Sequence, residues 1–250
     1  MYHLTARGNE RRAIYRDDHD RQRFVEKLRT LAEQHRVAVH AYVLMPNHYH
    51  LVVSTPRANL SAFMQQLNTS YTVYHNRRHR RCGHLFAGRF KARLVEGGSY
   101  LLALTRYVHL NPVKIRAARS LPVEERLSLL NAYGWSSYRS YAGLSESLAW
   151  VDHGPLKAFA DVGEVEGAAV RQAYREYVEQ QLVDDDTELL EALRLSSKAV
   201  GSVTFCQAAE QRQREIRDAA PGKQRWVDIS RRRVEVGATE QAVTAAVVQV

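Results

Sequence analysis

Two histidines stand two residues apart in the stretch 45–53, MPNHYHLVV, directly after a Pro-Asn turn signal. Successive side chains of a strand point to opposite faces, so His48 and His50 share one face while Tyr49 points to the other. Neutral imidazoles bind divalent transition metals, and two imidazoles leave most of the coordination sphere open to a substrate. The pair therefore predicts one of two things: Lewis-acid chemistry on a phosphate, or ordinary hydrogen bonding at the sheet surface.

A tyrosine and an asparagine lie four residues apart in the segment 99–113, SYLLALTRYVHLNPV, for which we predict a helix. Residues at this spacing share a helix face, so Tyr107 and Asn111 can face one pocket. A tyrosine hydroxyl can attack a phosphodiester to form a covalent phosphotyrosine, and the carboxamide oxygen of Asn111 can be a metal ligand. On spacing alone, an amphipathic helix that ends near an asparagine is the simpler interpretation.

The elements that must position these residues follow the order β, α, β, β, α, β, α. Strands are predicted over 2–8, 37–44 and 48–54, helices around the apolar sets in 24–32 and 60–71, and extended segments within 84–98. This order is typical of an α+β fold, namely a ferredoxin-like or RRM-like split βαβ antiparallel sheet with helices on one face. We expect Asp17 or Asp18 to cap the first helix, Ser99 to cap the third, and Pro112 to end the third.

The charge is divided unevenly along the chain. Residues 1–145 hold 23 Lys and Arg against 9 Asp and Glu, whereas residues 146–250 hold 13 against 18, and the whole chain carries +9. A basic body predicts a polyanionic partner, although a soluble protein of unusual charge is the plainer alternative. We therefore predict two domains: a nucleic-acid-binding domain over 1–145, and over 146–250 an acidic extension of unassigned role, mostly helical, with helices near 164–183, 184–195 and 202–218.

Seven cations are candidates for contact with DNA. Three of them alternate in a segment that we expect to be extended, so they can project from one face, and the others belong to the basic run that ends the second helix. Phosphate neutralisation by such side chains supplies most sequence-independent affinity, while a solvated helix end is the alternative for the run. The set is Arg77, Arg78, Arg80, Arg81, Arg89, Lys91 and Arg93.

A second group of metal-binding residue types falls in the same basic run, at His75, His79, Cys82 and His84. One thiolate with three imidazoles is an unusual set for a structural zinc ion. We therefore do not predict a zinc site from these four residues.

Four motifs in register resemble the REP-associated tyrosine transposases, which belong to the single-tyrosine HUH (His-hydrophobic-His) superfamily with an IS200-like transposase domain. They are MPNHYHLVV, GHLFAGRFKARLV, YVHLNPV and WSSYRSY, and the resemblance covers residues 1 to about 145. It implies that His48 and His50 are the HUH pair, that Tyr107 is the nucleophile, and that Asn111 completes a site for Mg²⁺ or Mn²⁺. The implied reaction cleaves and rejoins hairpin-containing single-stranded DNA through a 5′-phosphotyrosine.

The resemblance also implies the nucleic-acid partner that we expect, single-stranded DNA with REP-like hairpins, and the sequence leaves a monomer and a homodimer both open. The sequence has no apolar run of about 18 residues, no signal-peptide core and only two cysteines, so we expect no membrane association and a cytoplasmic, nucleoid-associated protein. A DNA-binding regulator that does not cleave is the alternative on the same fold. An RNA-binding domain of RRM type shares the topology but requires aromatic residues on its central strands in a signature that is not evident here.

Overall fold

A five-stranded sheet forms the centre of residues 1–160 and 167–219, the residues that the computed structural model describes. Its strands are β1 (Tyr2–Arg7), β2 (Ala38–Met45), β3 (His48–Ser54), β4 (Lys91–Val95) and the short β5 (Ala199–Val200). The order across the sheet is β2-β3-β1-β4-β5, with antiparallel pairing throughout except between β4 and β5. Helix α1 (Asp18–His35) connects β1 to β2, and helix α2 (Leu60–Arg78) connects β3 to β4. The predicted α+β fold class is confirmed, and β5 is an addition from the C-terminal part.

Both faces of this sheet are covered, because apolar side chains lie on both. Tyr49, Leu51 and Val53 of β3 belong to the larger core, which includes residues of α1 and α2. Val52 of β3 packs with Val108 of the third helix, α3 (Ser99–Lys114), in a second core. The expectation of helices on one face holds for α1 and α2, whereas α3 lies across the opposite face. Because His48 and His50 alternate with Tyr49 and Leu51, they point to the face beneath α3.

The ends of α3 differ from those that the sequence predicts. Gly98 is the N-cap, with a φ of 64°, and Ser99 is the first helical residue without a side-chain cap bond. This left-handed conformation favours glycine, which explains why the glycine rather than the serine starts the helix. Pro112 lies inside the helix instead of ending it. The Asn111 side-chain amide helps here: it donates to the Tyr107 carbonyl at 2.8 Å and lies 3.5 Å from the Val108 carbonyl, which loses its usual partner to the proline.

The segment predicted to be extended over 84–98 contains only one named strand, β4. Phe86 forms an isolated bridge with Gly8, and the chain then bends over 87–89 before β4 begins at Lys91. Arg89 therefore precedes the strand, and the predicted alternation of three cations on one strand face holds only for Lys91 and Arg93. This bend lies between two contacts with β1. The apolar pattern of the sequence shows no break there, so the bend was not predicted.

The remaining helices of the described chain include three before residue 145 that were not predicted and three beyond it in the part that was expected to be helical. These helices are α4 (Arg116–Arg119), α5 (Val123–Ala132), α6 (Tyr138–Tyr141), α7 (Ala168–Glu179), α8 (Thr187–Leu195) and α9 (Val203–Asp218). Short 3-10 turns occupy Asn9–Arg11, Gly154–Phe159 and Gln180–Leu182. Trp150 stacks on Tyr42 of β2, so the part beyond residue 145 packs on the sheet, and the boundary at 145 stays a prediction. Within the described ranges no helix combines the length and apolar character needed to cross a bilayer.

Candidate active site

Four side chains meet on the sheet face beneath α3, and we call them the sheet-face cluster: His3 of β1, His48 and His50 of β3, and Tyr107 of α3. Nε2 of His3 lies 2.9 Å from Nδ1 of His50. The ring centroids of His48 and His50 are 5.1 Å apart. The Tyr107 ring stands edge-on to both neighbours, with centroids 5.9 Å from His50 and 6.2 Å from His3. The structure thus brings the predicted nucleophile and the predicted histidine pair together.

His3 is the member of this cluster that sequence reasoning missed. In the antiparallel register of β1 and β3, His3 lies opposite Val52 and Thr5 lies opposite His50. Alternation places His3 and Thr5 on one face, so the His3 ring reaches diagonally to His50. The sequence signal for His3 was the presence of a histidine at an alternating position of the first predicted strand. Local sequence does not show the pairing register of β1 and β3, which brings His3 to His50.

The three imidazoles are neutral near pH 7. Burial lowers the pKa of His48 to about 4, with a further contribution from the positive charge of Arg7. Burial also lowers the pKa of His3 to about 3, helped by Arg93, and holds the pKa of His50 well below its ordinary value. A neutral imidazole keeps a lone pair on one ring nitrogen, which is the form that binds a metal.

A hydrogen bond determines which nitrogen of His48 carries that lone pair, and the contact between His3 and His50 allows the same arrangement in His50. Asn47 donates from Nδ2 to the Arg11 carbonyl at 2.9 Å, so its Oδ1 is the atom 2.7 Å from His48 Nδ1. His48 must then carry its proton on Nδ1 and its lone pair on Nε2. When His50 donates from Nδ1 to His3, its lone pair is likewise on Nε2. Two neutral imidazoles oriented by such partners suit a divalent cation.

Tyr107 and Asn111 sit one turn apart on α3, as their spacing predicts. Burial raises the pKa of the Tyr107 phenol above its ordinary value, while the charges of Arg93 and Arg7 oppose that rise. The phenol is therefore protonated at neutral pH and must lose its proton to act as a nucleophile. Because Asn111 uses its side-chain nitrogen on the Tyr107 carbonyl, its Oδ1 is the atom left for another partner. Both residues line a pocket between α3 and the segment around Asp185.

The seven cations predicted to contact DNA divide into two groups. Lys91 and Arg93 lie on β4, opposite Thr5 and His3 of β1, and so on the face of the sheet-face cluster. Those at the end of α2 lie elsewhere: Arg77 and Arg80 are exposed, and Arg81 is half-buried. The Arg78 guanidinium already pairs with Asp17 and Asp20. Arg89 precedes β4 in an exposed bend.

One cation beside the cluster was not predicted. Arg7 lies opposite His48 in the β1–β3 register, and its side chain is exposed. Arg7 and Arg93 together place two positive charges beside the imidazoles. This arrangement favours an anionic group, such as a phosphate, above the histidine pair.

Comparison with known proteins supports the resemblance over residues 1–111. A family model described as "Transposase IS200 like" matches residues 1–111, a range that includes the histidine pair, Tyr107 and Asn111. No curated protein matches the chain. Among solved structures, one of a REP-associated tyrosine transposase bound to a REP hairpin is similar, with 16% sequence identity and a TM-score of 0.45, over 65% of this chain and 88% of that chain. The resemblance to the IS200-like transposases is confirmed for residues 1–111.

Proposed function

We propose that this chain, whose residues 1–111 match the IS200-like transposases, cleaves and rejoins single-stranded DNA with Tyr107 as the nucleophile. The observation that carries the proposal is the contact of the Tyr107 ring with two neutral imidazoles, His3 and His50. Hairpin-containing DNA is the substrate that we infer, because the similar solved structure is described as bound to a REP hairpin. The cations on the same face, Lys91 and Arg93, provide contacts for the phosphates of such a strand.

The cleavage step exchanges one phosphate ester for another. The Tyr107 oxygen forms a bond to phosphorus, and the bond from phosphorus to the 3′-oxygen of the upstream nucleotide breaks. The leaving oxygen takes up a proton and becomes a free 3′-OH. Among the described residues none accepts a hydrogen bond from the Tyr107 hydroxyl, so we assign its proton to solvent water. Attack by a 3′-OH on the phosphotyrosine reverses the exchange and joins two strands.

A divalent cation, Mg²⁺ or Mn²⁺, would be held by Nε2 of His48, Nε2 of His50 and Oδ1 of Asn111. Bound there, it supplies Lewis-acid polarisation of the scissile phosphate. Nitrogen ligands suit Mn²⁺ better than Mg²⁺, which prefers oxygen. His3 accepts the Nδ1 proton of His50 and so keeps the Nε2 lone pair of His50 directed at the ion, which makes His3 a positioning residue.

The test is covalent capture of DNA by the full chain in the presence of Mn²⁺. A hairpin oligonucleotide with a 3′ label should give a protein–DNA adduct on a denaturing gel, because the tyrosine retains the 5′-phosphate of the downstream fragment. The same oligonucleotide with a 5′ label should give a shorter free fragment with an extendable 3′-OH. We expect Tyr107→Phe to abolish both products and Tyr100→Phe, on the same helix, to preserve them. An adduct that persists in Tyr107→Phe overturns the assignment of the nucleophile.

The same assay tests the metal site and the alternative function. His48→Ala should lose the cleavage that depends on Mn²⁺, and undiminished cleavage would remove the histidine pair from the mechanism. A wild-type chain that binds the hairpin tightly but never forms an adduct, under any divalent metal, would instead be a regulator that does not cleave.

A further inference from the structure

A second set of metal-binding side chains lies on the side of the sheet covered by α1 and α2. We call it the helix-pair cluster: Asp20 of α1 with His75 and His79 of α2. One ligand atom from each residue lies within 4.8 Å of the others. His79 Nε2 is 2.8 Å from Asp20 Oδ2, and the two imidazole centroids are 4.5 Å apart.

Helix geometry explains how these residues meet. His75 and His79 are four residues apart at the C-terminal end of α2, so their rings lie on one face. Asp20 lies in the first turn of α1, where its backbone N–H donates to the N-cap Asp17. Packing of α1 against α2 brings this first turn against the last turn of α2. Two imidazoles at this spacing with one carboxylate are a common zinc ligand set that leaves one coordination position open.

His75 carries the observation that points to a ligand. Its side chain is 1% exposed, and neither ring nitrogen has a hydrogen-bond partner. Buried polar side chains almost always have a partner, because an unsatisfied group keeps the full cost of its desolvation. The neighbouring ligand atoms of Asp20 and His79 lie within 4.8 Å of a His75 nitrogen, close enough for one ion to contact all three.

Charges of both signs surround the cluster, and the Asp20 carboxylate is the group within it that attracts a cation. Asp17 and Asp20 share one cation, Arg78, which bonds to both carboxylates. These three charged side chains together leave one negative charge, while the positive charges of Arg81 and Arg16 also act on His75. Arg78 can donate to Asp20 Oδ1 while Asp20 Oδ2 and His79 Nε2 bind the metal. This requires that His79 carries its proton on Nδ1.

We propose that Asp20, His75 and His79 bind one divalent transition-metal ion, of which Zn²⁺ is the best match to two nitrogens and one oxygen. This set differs from the four residues considered in the sequence. Cys82 and His84 are exposed, and Asp20, 59 positions before His79, takes their place. The ion would clamp the start of α1 to the end of α2, and so hold the exposed arginines of that end in position.

The experiment is zinc binding by the full-length protein, measured by calorimetry and by metal analysis after dialysis against micromolar Zn²⁺. His75→Phe is the test variant, because it keeps an aromatic ring in the core and removes both nitrogens. We expect it to lose at least 100-fold in zinc affinity and to lose the rise in melting temperature that Zn²⁺ gives the wild type. His84→Ala and Cys82→Ser should bind like wild type.

A second set of variants separates this site from the sheet-face cluster. His48→Ala and Tyr107→Phe should keep the high-affinity zinc site, whether or not the chain cleaves DNA. Substitution by Co²⁺ should give the visible absorption of a tetrahedral site in the wild type but not in His75→Phe. Equal zinc affinity in His75→Phe and wild type, or no zinc retained by the wild type, overturns the proposal.

Discussion

The two histidine clusters lie on opposite faces of one sheet and differ in the charge that surrounds them. The sheet-face cluster has three imidazoles and a phenol beside Arg7 and Arg93 and includes no carboxylate, so a cation held there would take its negative partner from a substrate phosphate, whereas the helix-pair cluster includes a buried carboxylate of its own. Histidines in the two clusters therefore differ in their charged neighbours, which are arginines in the first cluster and a carboxylate in the second. We expect variants of the first cluster to change activity on DNA and variants of the second to change stability.

The largest effect that we expect is on stability, at Asp20. Burial alone would raise the pKa of this carboxyl, but hydrogen bonds from the Arg16 amide, Arg78 and His79 hold it below its ordinary value. Asp20→Asn removes a fully buried charge from its partners, so the free energy of unfolding should fall by about 3 kcal/mol in urea denaturation. Because the folded pKa is depressed, this contribution is present above about pH 4 and is lost as the pH falls further.

The matched control for Asp20 is Asp18, which lies in the same turn and pairs with Arg21 at the surface. Asp18→Asn should cost less than about 0.5 kcal/mol. If Asp20→Asn also costs that little, the carboxylate is not the centre of the helix-pair cluster. If the folded Asp20→Asn protein loses DNA cleavage while its stability is unchanged, the division between the two clusters is wrong.

The next effect concerns His3, which we expect to act through His50. His3→Phe keeps an aromatic ring but removes the acceptor for the His50 proton, so the Mn²⁺ concentration for half-maximal cleavage should rise about 10–100-fold. His3→Gln offers a carbonyl oxygen to the same proton and should recover part of that loss. A purely structural role predicts no such difference between the two variants. A titration of adduct formation against Mn²⁺ distinguishes them.

Local patterns predicted the parts of the sheet-face cluster that lie within one element, whereas the helix-pair cluster was not predicted, because His75 and His79 were considered only with Cys82 and His84. The pairing of His48 with His50 follows from strand alternation, that of Tyr107 with Asn111 from helix spacing, and the α+β order from the apolar periods. Contacts between distant segments could not be predicted in this way. His3 depends on the β1–β3 register, and Asp20 depends on how α1 packs against α2. Tertiary packing also decides which helix covers the sheet face that carries the histidines, and here that helix is α3.

The smallest effect that we expect concerns Lys91 and Arg78, both of which were predicted from the sequence to contact DNA. Lys91 is exposed on the face of the sheet-face cluster, whereas Arg78 is occupied by Asp17 and Asp20. In a Tyr107→Phe background, which should bind without cleaving, Lys91→Ala should reduce the slope of log affinity against log salt concentration by about 0.7, the loss of one phosphate contact with single-stranded DNA.

Arg78→Ala should leave that salt slope unchanged, because its guanidinium is already neutralised by carboxylates. Fluorescence anisotropy with a labelled hairpin, measured at several salt concentrations, gives both slopes. The opposite result, a reduced slope for Arg78→Ala with none for Lys91→Ala, would place the DNA against the end of α2. The helix-pair cluster would then support the DNA contact, and the sheet-face cluster would no longer be the side of the molecule that meets the substrate.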